Sequence, residues 1–348
     1  MNRSNSMPVA CAFALALQMT DASAGLLPVD IWQGHVGLSI DAIGGNSTPV
    51  GEVQAEIPAG ATVLAAYLYS AGTPFPWYSD SPTTVAHYNG AGISLGGNAV
   101  TNFDTLVGAV SDRADIGRWY TGRADVTSIV QSLHTAGPAY SWEVLEGAAL
   151  NGRIDGNVLV VVYEDMSLPE ASVVLLDGGQ DTGGETTVIN FDSPLGDPTA
   201  ADFVAEMSLG ISFSCCGQVS EVDINGTRLT SSAGSLDDGT EVSDGSLITA
   251  GGIGDDPANP TDPDSSDDSL DDELYTLDSF LSEGDLDFSI FTQNDTNDDN
   301  IFMMGLYITA DVGSVGPDPV PEGGTSVLLL GLSLLPLAWS SRRKRRTS

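Results

Sequence analysis

The chain has 348 residues, of which 48 are acidic and 11 are lysine or arginine, and its formal net charge is −37 at pH 7. A field of that sign repels nucleic acid and anionic lipid, so the composition argues against both as partners. Hydrophobic residues make up 41% of the chain, which is enough to bury a core and argues against a disordered polymer.

The first 24 residues have the three parts of a secretory signal peptide. Arg3 supplies the positive start, Val9–Leu17 supplies the apolar segment, and Ala-Ser-Ala at residues 22–24 supplies a small-residue cleavage site. We therefore expect residues 1–24 to be removed on export and the mature protein to begin at Gly25.

Strand patterns dominate residues 25–312. Apolar and polar residues alternate over Glu52–Ile57, and Asn-Gly pairs at 89–90 and 225–226 predict hairpins. Further apolar runs predict strands at Ala61–Ser70, Asn157–Glu164, Ala171–Leu176, Thr186–Phe191, Leu209–Phe213, Leu286–Phe291 and Ile301–Ala310. The patterns predict an all-β fold: one large or two smaller antiparallel β-sandwiches, jelly-roll or immunoglobulin-like, with a subdivision near residue 155.

Two segments have helical rather than strand periodicity. Apolar residues at 126, 129, 130 and 133 predict a short helix that Asp125 is placed to cap. Apolar residues at 274, 277, 280 and 281 predict a second helix, which Gly284 would end. Beyond the last predicted strand, Gly313–Pro319 is rich in glycine and proline, so we expect a linker there.

Cys215 and Cys216 are adjacent in the mature region, and the sequence leaves three arrangements open. They can form a vicinal disulfide in an oxidising compartment, remain two thiols on a strand, or link two copies of the chain. Neighbouring side chains of a strand point to opposite faces, so the pair is a poor metal chelator.

The candidate metal site lies in an acidic stretch over residues 255–299. Asp295, Asn297 and Asp299 place oxygen atoms at positions one, three and five of a calcium-loop pattern, but positions six and twelve lack the glycine and glutamate of an EF-hand. Two interpretations stay open: a looser calcium site, or a polar turn whose side chains bond local backbone groups. A second acidic loop contains aspartates at 262, 264, 267 and 268. Calcium is the candidate cofactor.

Catalytic motifs are missing from the sequence. There is no Gly-x-Ser-x-Gly elbow, zinc-protease helix or phosphate loop, and the three histidines stand outside any motif. With 48 acidic residues, accidental carboxylate pairs do not identify a glycosidase. The aromatic run Phe75–Tyr78 can stack on sugar rings, although a loop tryptophan more commonly covers the end of a core. We therefore expect that the protein is not an enzyme.

Residues 320–348 form a tail of three parts. Val320, Pro321, Glu322 and Gly323 open it, the uncharged apolar run Val327–Trp339 follows, and a cluster of arginine and lysine ends it. The run is short for a membrane-spanning helix, which needs about 17–25 residues, and the basic cluster is held on the cytoplasmic side. The order predicts a sorting signal with a hydrophobic transmembrane helix.

This tail resembles the PEP-CTERM sorting signal of Gram-negative bacteria that make extracellular polysaccharide. Three of the four motif residues match, and Gly323 stands where the usual motif has a second proline. The resemblance implies that an exosortase removes the tail near the motif and passes the protein from the inner membrane to the surface. The body is similar to uncharacterised secreted bacterial β-sandwich domains through Ile57–Val63, Ala124–Thr127 and Asn157–Asp165, which implies a fold but no activity.

The sequence therefore predicts an exported protein of the cell surface or extracellular matrix, with a structural or adhesive role. The expected partners are an exosortase, exopolysaccharide and other surface proteins, with membrane contact through the tail before processing. A secreted polysaccharide-active enzyme is the alternative. An envelope protein that keeps its tail as an anchor is a third interpretation.

Overall fold

The described residues are mostly antiparallel β-strand, which confirms the predicted fold class. The computed structural model describes residues 25–44, 50–72, 92–106, 112–113, 117–118, 120–135, 137–146, 154, 156–180, 183–212, 220–234, 248–266, 273–293 and 300–317. Within these residues one α-helix, α1, spans Thr127–Leu133.

The strands before residue 150 are, in chain order, β1 (Leu26–Gly34), β2 (Val36–Gly44), β3 (Val50–Glu56), β4 (Thr62–Gly72), β5 (Ser94–Leu95), β6 (Asn98–Ala99), β7 (Asp104–Thr105), β8 (Asp112–Arg113), β9 (Gly117–Arg118), β10 (Tyr120–Asp125) and β11 (Ala139–Leu145). Those after residue 150 are β12 (Gly156–Glu164), β13 (Ala171–Gly178), β14 (Glu185–Phe191), β15 (Ala205–Ser212), β16 (Ser220–Ile224), β17 (Thr227–Ala233), β18 (Ile248–Ala250), β19 (Leu274–Thr276), β20 (Asp287–Gln293), β21 (Asn300–Ile308) and β22 (Val312–Pro317).

These strands form four larger sheets. Sheet I has the order β3-β11-β5-β6, and sheet II the order β2-β12-β4-β10-β7. Sheet III has the order β1-β13-β21-β15-β18, with β19 also paired to β15, and sheet IV the order β17-β16-β20-β14-β22. Strands β8 and β9 form a separate pair.

The four sheets stack in numerical order around three layers of apolar side chains. Val53 of sheet I and Leu159 of sheet II belong to one core, and Val160 of sheet II belongs to the next with Phe302 of sheet III. A third core joins sheet III to sheet IV. Two sandwiches therefore pack face to face, and sheets II and III are inner layers covered on both sides.

This layering explains the difference between apolar and alternating strands. Strand β12 is almost wholly buried because sheet II lies between sheets I and III, so both of its faces meet a core. Strand β3 alternates buried and exposed residues because only one face of sheet I is covered. The same alternation appears in β11, its neighbour.

The chain crosses between the two sandwiches twice. Strand β1 pairs with β13 in sheet III, yet β2, which follows directly, is the edge strand of sheet II. The chain returns to sheet III between β12 and β13, through a turn in which the Leu168 N–H donates to the Asp165 carbonyl at 2.9 Å. This second crossing lies at residues 165–170 rather than near residue 155.

Most of the local predictions are confirmed. The Asn225-Gly226 hairpin joins β16 to β17, with φ of 52° and 72° at its two central residues. Helix α1 forms as predicted, but its N-cap residue is Val126 rather than Asp125; from one position earlier, a carboxylate oxygen of Asp125 accepts the Thr127 N–H at 2.9 Å. The Asn89-Gly90 hairpin lies outside the described residues.

Two predictions were wrong. The second helix is instead β19, paired with β15, followed by one 3-10 turn over Asp278–Phe280. Alternate residues Tyr275 and Leu277 are both fully buried, so the apolar pattern also has the period of a strand, and sheet pairing decides the structure. Most of the expected linker belongs to β22, which adds an edge strand to sheet IV beside β14.

Candidate ligand-binding cleft

A cavity of about 360 Å³ opens where sheets I, II and III meet. Strand β2 forms one wall and the ends of β15 and β21 form another, while the segment after β18 closes the side. Its polar lining comes mainly from Glu56, Tyr163, Glu206, Asp255 and Tyr307. We call this cavity the junction cleft. Its volume falls within the range of small-molecule sites in proteins, about 300–1,000 Å³.

A glycine in β2 makes room for the most enclosed aromatic side chain of the cleft. Gly37 and Tyr163 are paired across β2 and β12, and a Cβ atom on Gly37 would lie 2.5 Å from Cζ of Tyr163 and 2.7 Å from its hydroxyl oxygen. Tyr163 is 9% exposed. Its hydroxyl oxygen is not among the described buried polar atoms that lack a hydrogen-bond partner, and it lies at the wall of the cleft beside Gly37.

Close backbone packing fixes the glycine-rich side of the cleft. The Ile253 N–H donates to the Ile40 carbonyl of β2 at 2.9 Å, which ties this segment to the edge of sheet II. A side chain on Gly252 would collide with that same carbonyl, so this approach requires glycine. A carboxylate oxygen of Asp255 accepts the Gly252 N–H at 2.8 Å and thereby holds Asp255 at the rim.

The same edge strand positions the glutamate that comes from sheet I. The hydroxyl oxygen of Ser39 in β2 accepts the Glu56 N–H at 3.0 Å. Two residues further along β2, a carboxylate oxygen of Asp41 accepts the Gln54 N–H. Side chains of β2 thus satisfy the open edge of β3, and this explains why two polar residues are buried in β2.

The titratable groups of the cleft influence one another. Burial raises the pKa of Glu206, and the neighbouring Asp278 carboxylate raises it further. Burial also raises the pKa of Tyr307, with a smaller contribution from Glu206. Tyr163 follows the same rule: burial raises its pKa most, and Tyr307 and Glu56 add to the shift. Burial thus disfavours the charged forms of one carboxyl group, Glu206, and of two phenols, Tyr163 and Tyr307.

The cleft has an unbalanced charge. Three of its lining side chains, those of Glu56, Glu206 and Asp255, carry carboxylates, while the described residues that line it include no lysine, arginine or histidine. Such a lining attracts cations and hydrogen-bond donors and repels anions. Within the part of the chain that the structure describes, no three acidic, histidine or cysteine side chains are grouped closely enough to hold a metal ion.

A second polar cluster links the two inner sheets. The Arg123 guanidinium of β10 pairs with the Asp177 carboxylate of β13, and the Tyr69 hydroxyl donates to the same carboxylate at 3.0 Å. The Arg123 guanidinium also lies 5.2 Å from the ring centroid of Tyr67. Burial raises the pKa of Asp177, while Arg123 and Tyr69 lower it. This cluster fastens sheet II to sheet III and is structural.

Most of the residues predicted to be functional lie outside the described ranges. These are the sorting motif Val320, Pro321, Glu322 and Gly323, the candidate ligands Asp295, Asn297 and Asp299, the pair Cys215 and Cys216, and the aromatic run Phe75–Tyr78. In the second acidic loop the Asp262 carboxylate accepts the Asp264 N–H at 3.3 Å, a local turn contact of the kind expected without metal.

Sequence reasoning did not find the junction cleft. Tyr163 and Tyr307 both fall in segments predicted as strands, where an aromatic residue is read as core. Glu206 lies before the predicted strand Leu209–Phe213, although it belongs to β15. That it faces inward follows only from the pairing of β15 with β21. The sequence signal that could have indicated the cleft was the polar residue Glu206 at a strand position that faces inward.

The chain matches no family model and no curated protein. Among the described residues no helix is both long and apolar enough to cross a membrane.

Proposed function

We propose that this protein is exported, sorted by an exosortase, and works at the cell surface or in the extracellular matrix in a structural or adhesive role. The observation that carries the adhesive role is the junction cleft, which brings the buried Tyr163, the half-buried Tyr307 and three carboxylate side chains together on one β framework. Carboxylates and tyrosines of this kind bind ligands that present hydroxyl or amine groups.

The sequence supports the proposed location. The signal peptide accounts for export, and the tail beginning at Val320 accounts for temporary retention in the inner membrane and transfer to the surface. The strongly negative charge favours solubility and keeps copies of the protein apart, which suits a component of a hydrated matrix.

A secreted polysaccharide-active enzyme is the second candidate, and one observation favours it. Glu56 and Glu206 line the same cleft, and glycoside hydrolysis needs two carboxyl groups, one of which stays protonated to act as an acid. Burial raises the pKa of Glu206 in that direction. We place this reading second because a raised carboxyl pKa also arises in any desolvated binding site.

Incubation with the exopolysaccharide of the producing organism separates the two candidates. An adhesive protein remains bound to the polysaccharide and leaves its chain length unchanged, while an enzyme generates new reducing ends. The exposed Glu143, on the outer face of sheet I, provides a control: Glu143→Gln should bind like the unmodified protein. No retention together with no new reducing ends would refute both candidates.

A further inference from the structure

We propose that Glu185 and Thr292 form a binding site for an ammonium group, and that its ligand is the α-amino group of Gly25, which the removal of residues 1–24 creates. The proposal rests on the export part of the proposed function and adds a step to it, in which maturation of the amino end links β1 to sheet IV. It follows from one backbone contact, from the facing of two strands, and from one buried hydroxyl group.

The amino end of the mature chain lies beside a carboxylate. Glu185 opens β14 in sheet IV, and its Oε1 atom accepts the Leu26 N–H at 3.1 Å. Leu26 opens β1 in sheet III and is 6% exposed, and Gly25 before it is also buried. Three covalent bonds, about 4.3 Å in summed length, separate the backbone nitrogens of Gly25 and Leu26. An amine on Gly25 therefore forms next to Glu185.

Glu185 and Thr292 face the same core, between sheets III and IV. Ile189 of β14 belongs to that core, and Glu185 lies four residues before it, so both side chains point to the same face of the sheet. Ile290 of β20 also belongs to the core, and Thr292 lies two residues after it. Glu185 and Thr292 are directly paired across β14 and β20. Such pairs have Cβ atoms about 4.5–5.5 Å apart, so one small group can contact both.

Thr292 supplies an independent observation that points to a ligand. Its side chain is 2% exposed, and its hydroxyl oxygen is one of the buried polar atoms without a hydrogen-bond partner in the described part of the chain. Native proteins rarely leave such a group unpaired, because its desolvation is then uncompensated. An ammonium group has three N–H donors. On Gly25 it can pair with the Glu185 carboxylate and donate to the Thr292 hydroxyl.

The chemistry of the site selects the processed amino end over its precursor and over a metal ion. Before cleavage the Gly25 nitrogen is an uncharged amide with one N–H, and after cleavage it carries a positive charge that the Glu185 carboxylate neutralises. A calcium ion takes six to eight oxygen ligands, and no three acidic, histidine or cysteine side chains are grouped for a metal among the residues that the structure places. The mature chain should therefore be more stable than the precursor.

Urea unfolding of four chains tests the proposal. Two chains begin at Gly25 and two retain residues 22–24, which moves the charged amine away by three residues; each pair has either Glu185 or Glu185→Gln. A hydrogen bond to a charged group changes an equilibrium constant by about tenfold or more. Glu185→Gln should therefore raise the unfolding constant by about tenfold in the chain that begins at Gly25, and by clearly less in the extended chain. An equal effect in the two chains would overturn the proposal.

Thr292→Val should change stability with opposite signs in the two chains. In the extended chain valine removes an unpaired buried hydroxyl and should lower the unfolding constant. In the chain that begins at Gly25 it removes a partner of the ammonium group and should raise that constant several-fold. Stabilisation of both chains would overturn the proposal, and this test decides if Glu185→Gln does not fold.

A glutamate far from the site controls for net charge. Glu143 is exposed on the outer face of sheet I, so Glu143→Gln should affect the two chains alike. If Glu143→Gln distinguished the two chains as strongly as Glu185→Gln, the amine would respond to the overall charge rather than to a site, and the proposal would be overturned.

The export step and the ammonium site fail in different ways. Sequencing the amino end of the exported protein tests the first, and the four chains test the second. If the exported protein begins at Gly25 but Glu185→Gln acts equally on both chains, the site is wrong and export stands. If the two chains differ as expected but the exported protein begins at another residue, the amine does not form in the cell, and the cleavage position and the maturation step are both wrong.

Discussion

Replacing Arg123 with methionine should loosen the contact between the two inner sheets. Arg123 neutralises the Asp177 carboxylate, which is enclosed between sheets II and III. Removing one partner of a buried ion pair costs about 3–5 kcal/mol. The side chains of Arg123 and Asp177 are 26% and 11% exposed, so we expect the low end of that range, about 3 kcal/mol in the free energy of unfolding.

The cost should depend on pH with a defined sign. Burial raises the folded-state pKa of Asp177, so the stability contributed by its protonated form is fully present below the unfolded pKa of about 3.9 and is lost as pH rises through the folded pKa. Arg123 opposes this shift, and its removal enlarges the shift. The difference between Arg123→Met and the unmodified protein should therefore be small below about pH 4 and largest at neutral pH.

Urea unfolding followed by circular dichroism measures this difference. Arg228 is a matched control, because its side chain is also 26% exposed and it pairs on sheet IV with two carboxylates that are more exposed than Asp177: Glu221 at 2.8 Å, 33% exposed, and Asp223 at 2.5 Å, 21% exposed. Arg228→Met should cost at most about 1 kcal/mol. Adding Asp177→Leu and Tyr69→Phe to Arg123→Met should recover most of the stability, because no buried charge or hydroxyl is then left unpaired. An equal, pH-independent loss in Arg123→Met and Arg228→Met would mean that the Arg123–Asp177 pair stabilises the fold no more than an exposed ion pair does.

Two further predictions concern the cleft and the acidic loops. Gly37→Ala should lower the free energy of unfolding by about 1–3 kcal/mol, because its methyl group would overlap the Tyr163 ring. In the same urea titration Gly196→Ala should be nearly neutral, because its methyl group would meet no atom within 4 Å. A neutral Gly37→Ala would contradict the packing described for the cleft. Calcium at about 100 times its Kd should stabilise the protein by roughly 2.7 kcal/mol per site relative to chelator and magnesium at matched ionic strength. Thermal melts measure this shift, replacing Asp295, Asn297 and Asp299 should remove it, and equal melting temperatures in all three conditions would contradict calcium binding.

The sequence predicted the strands whose pattern is set locally. The run of β-branched residues in β12 and the Asn225-Gly226 turn need only local information, and both are confirmed. Strands β1 and β2 were missed because their burial depends on partners far along the chain: β1 pairs with β13, and β2 contains the buried Asp41, which a strand pattern does not predict. The apolar residues at 274–281 have helical spacing, but this segment pairs with β15 and begins as a strand, so the predicted helix was wrong.

The junction cleft was beyond sequence reasoning for the same physical reason. Its lining comes from β2, β3, β12, β15 and β21, which meet only when two sandwiches pack face to face. Tyr163 can enter the cleft because Gly37 lies opposite it, a relation fixed by strand register rather than by spacing along the chain. The site is therefore formed by long-range strand pairing, from residues whose sequence context predicts only a strand or a surface position.

Mass spectrometry of the protein recovered from the surface of a cell that contains an exosortase tests the central claim most directly. Processing by an exosortase should leave a chain that begins at Gly25 and ends near the Val320–Gly323 motif, and changing Pro321 or Glu322 should block this processing while export continues. Recovery of mature protein that still ends at Ser348 would contradict exosortase sorting and would identify the tail as a permanent anchor.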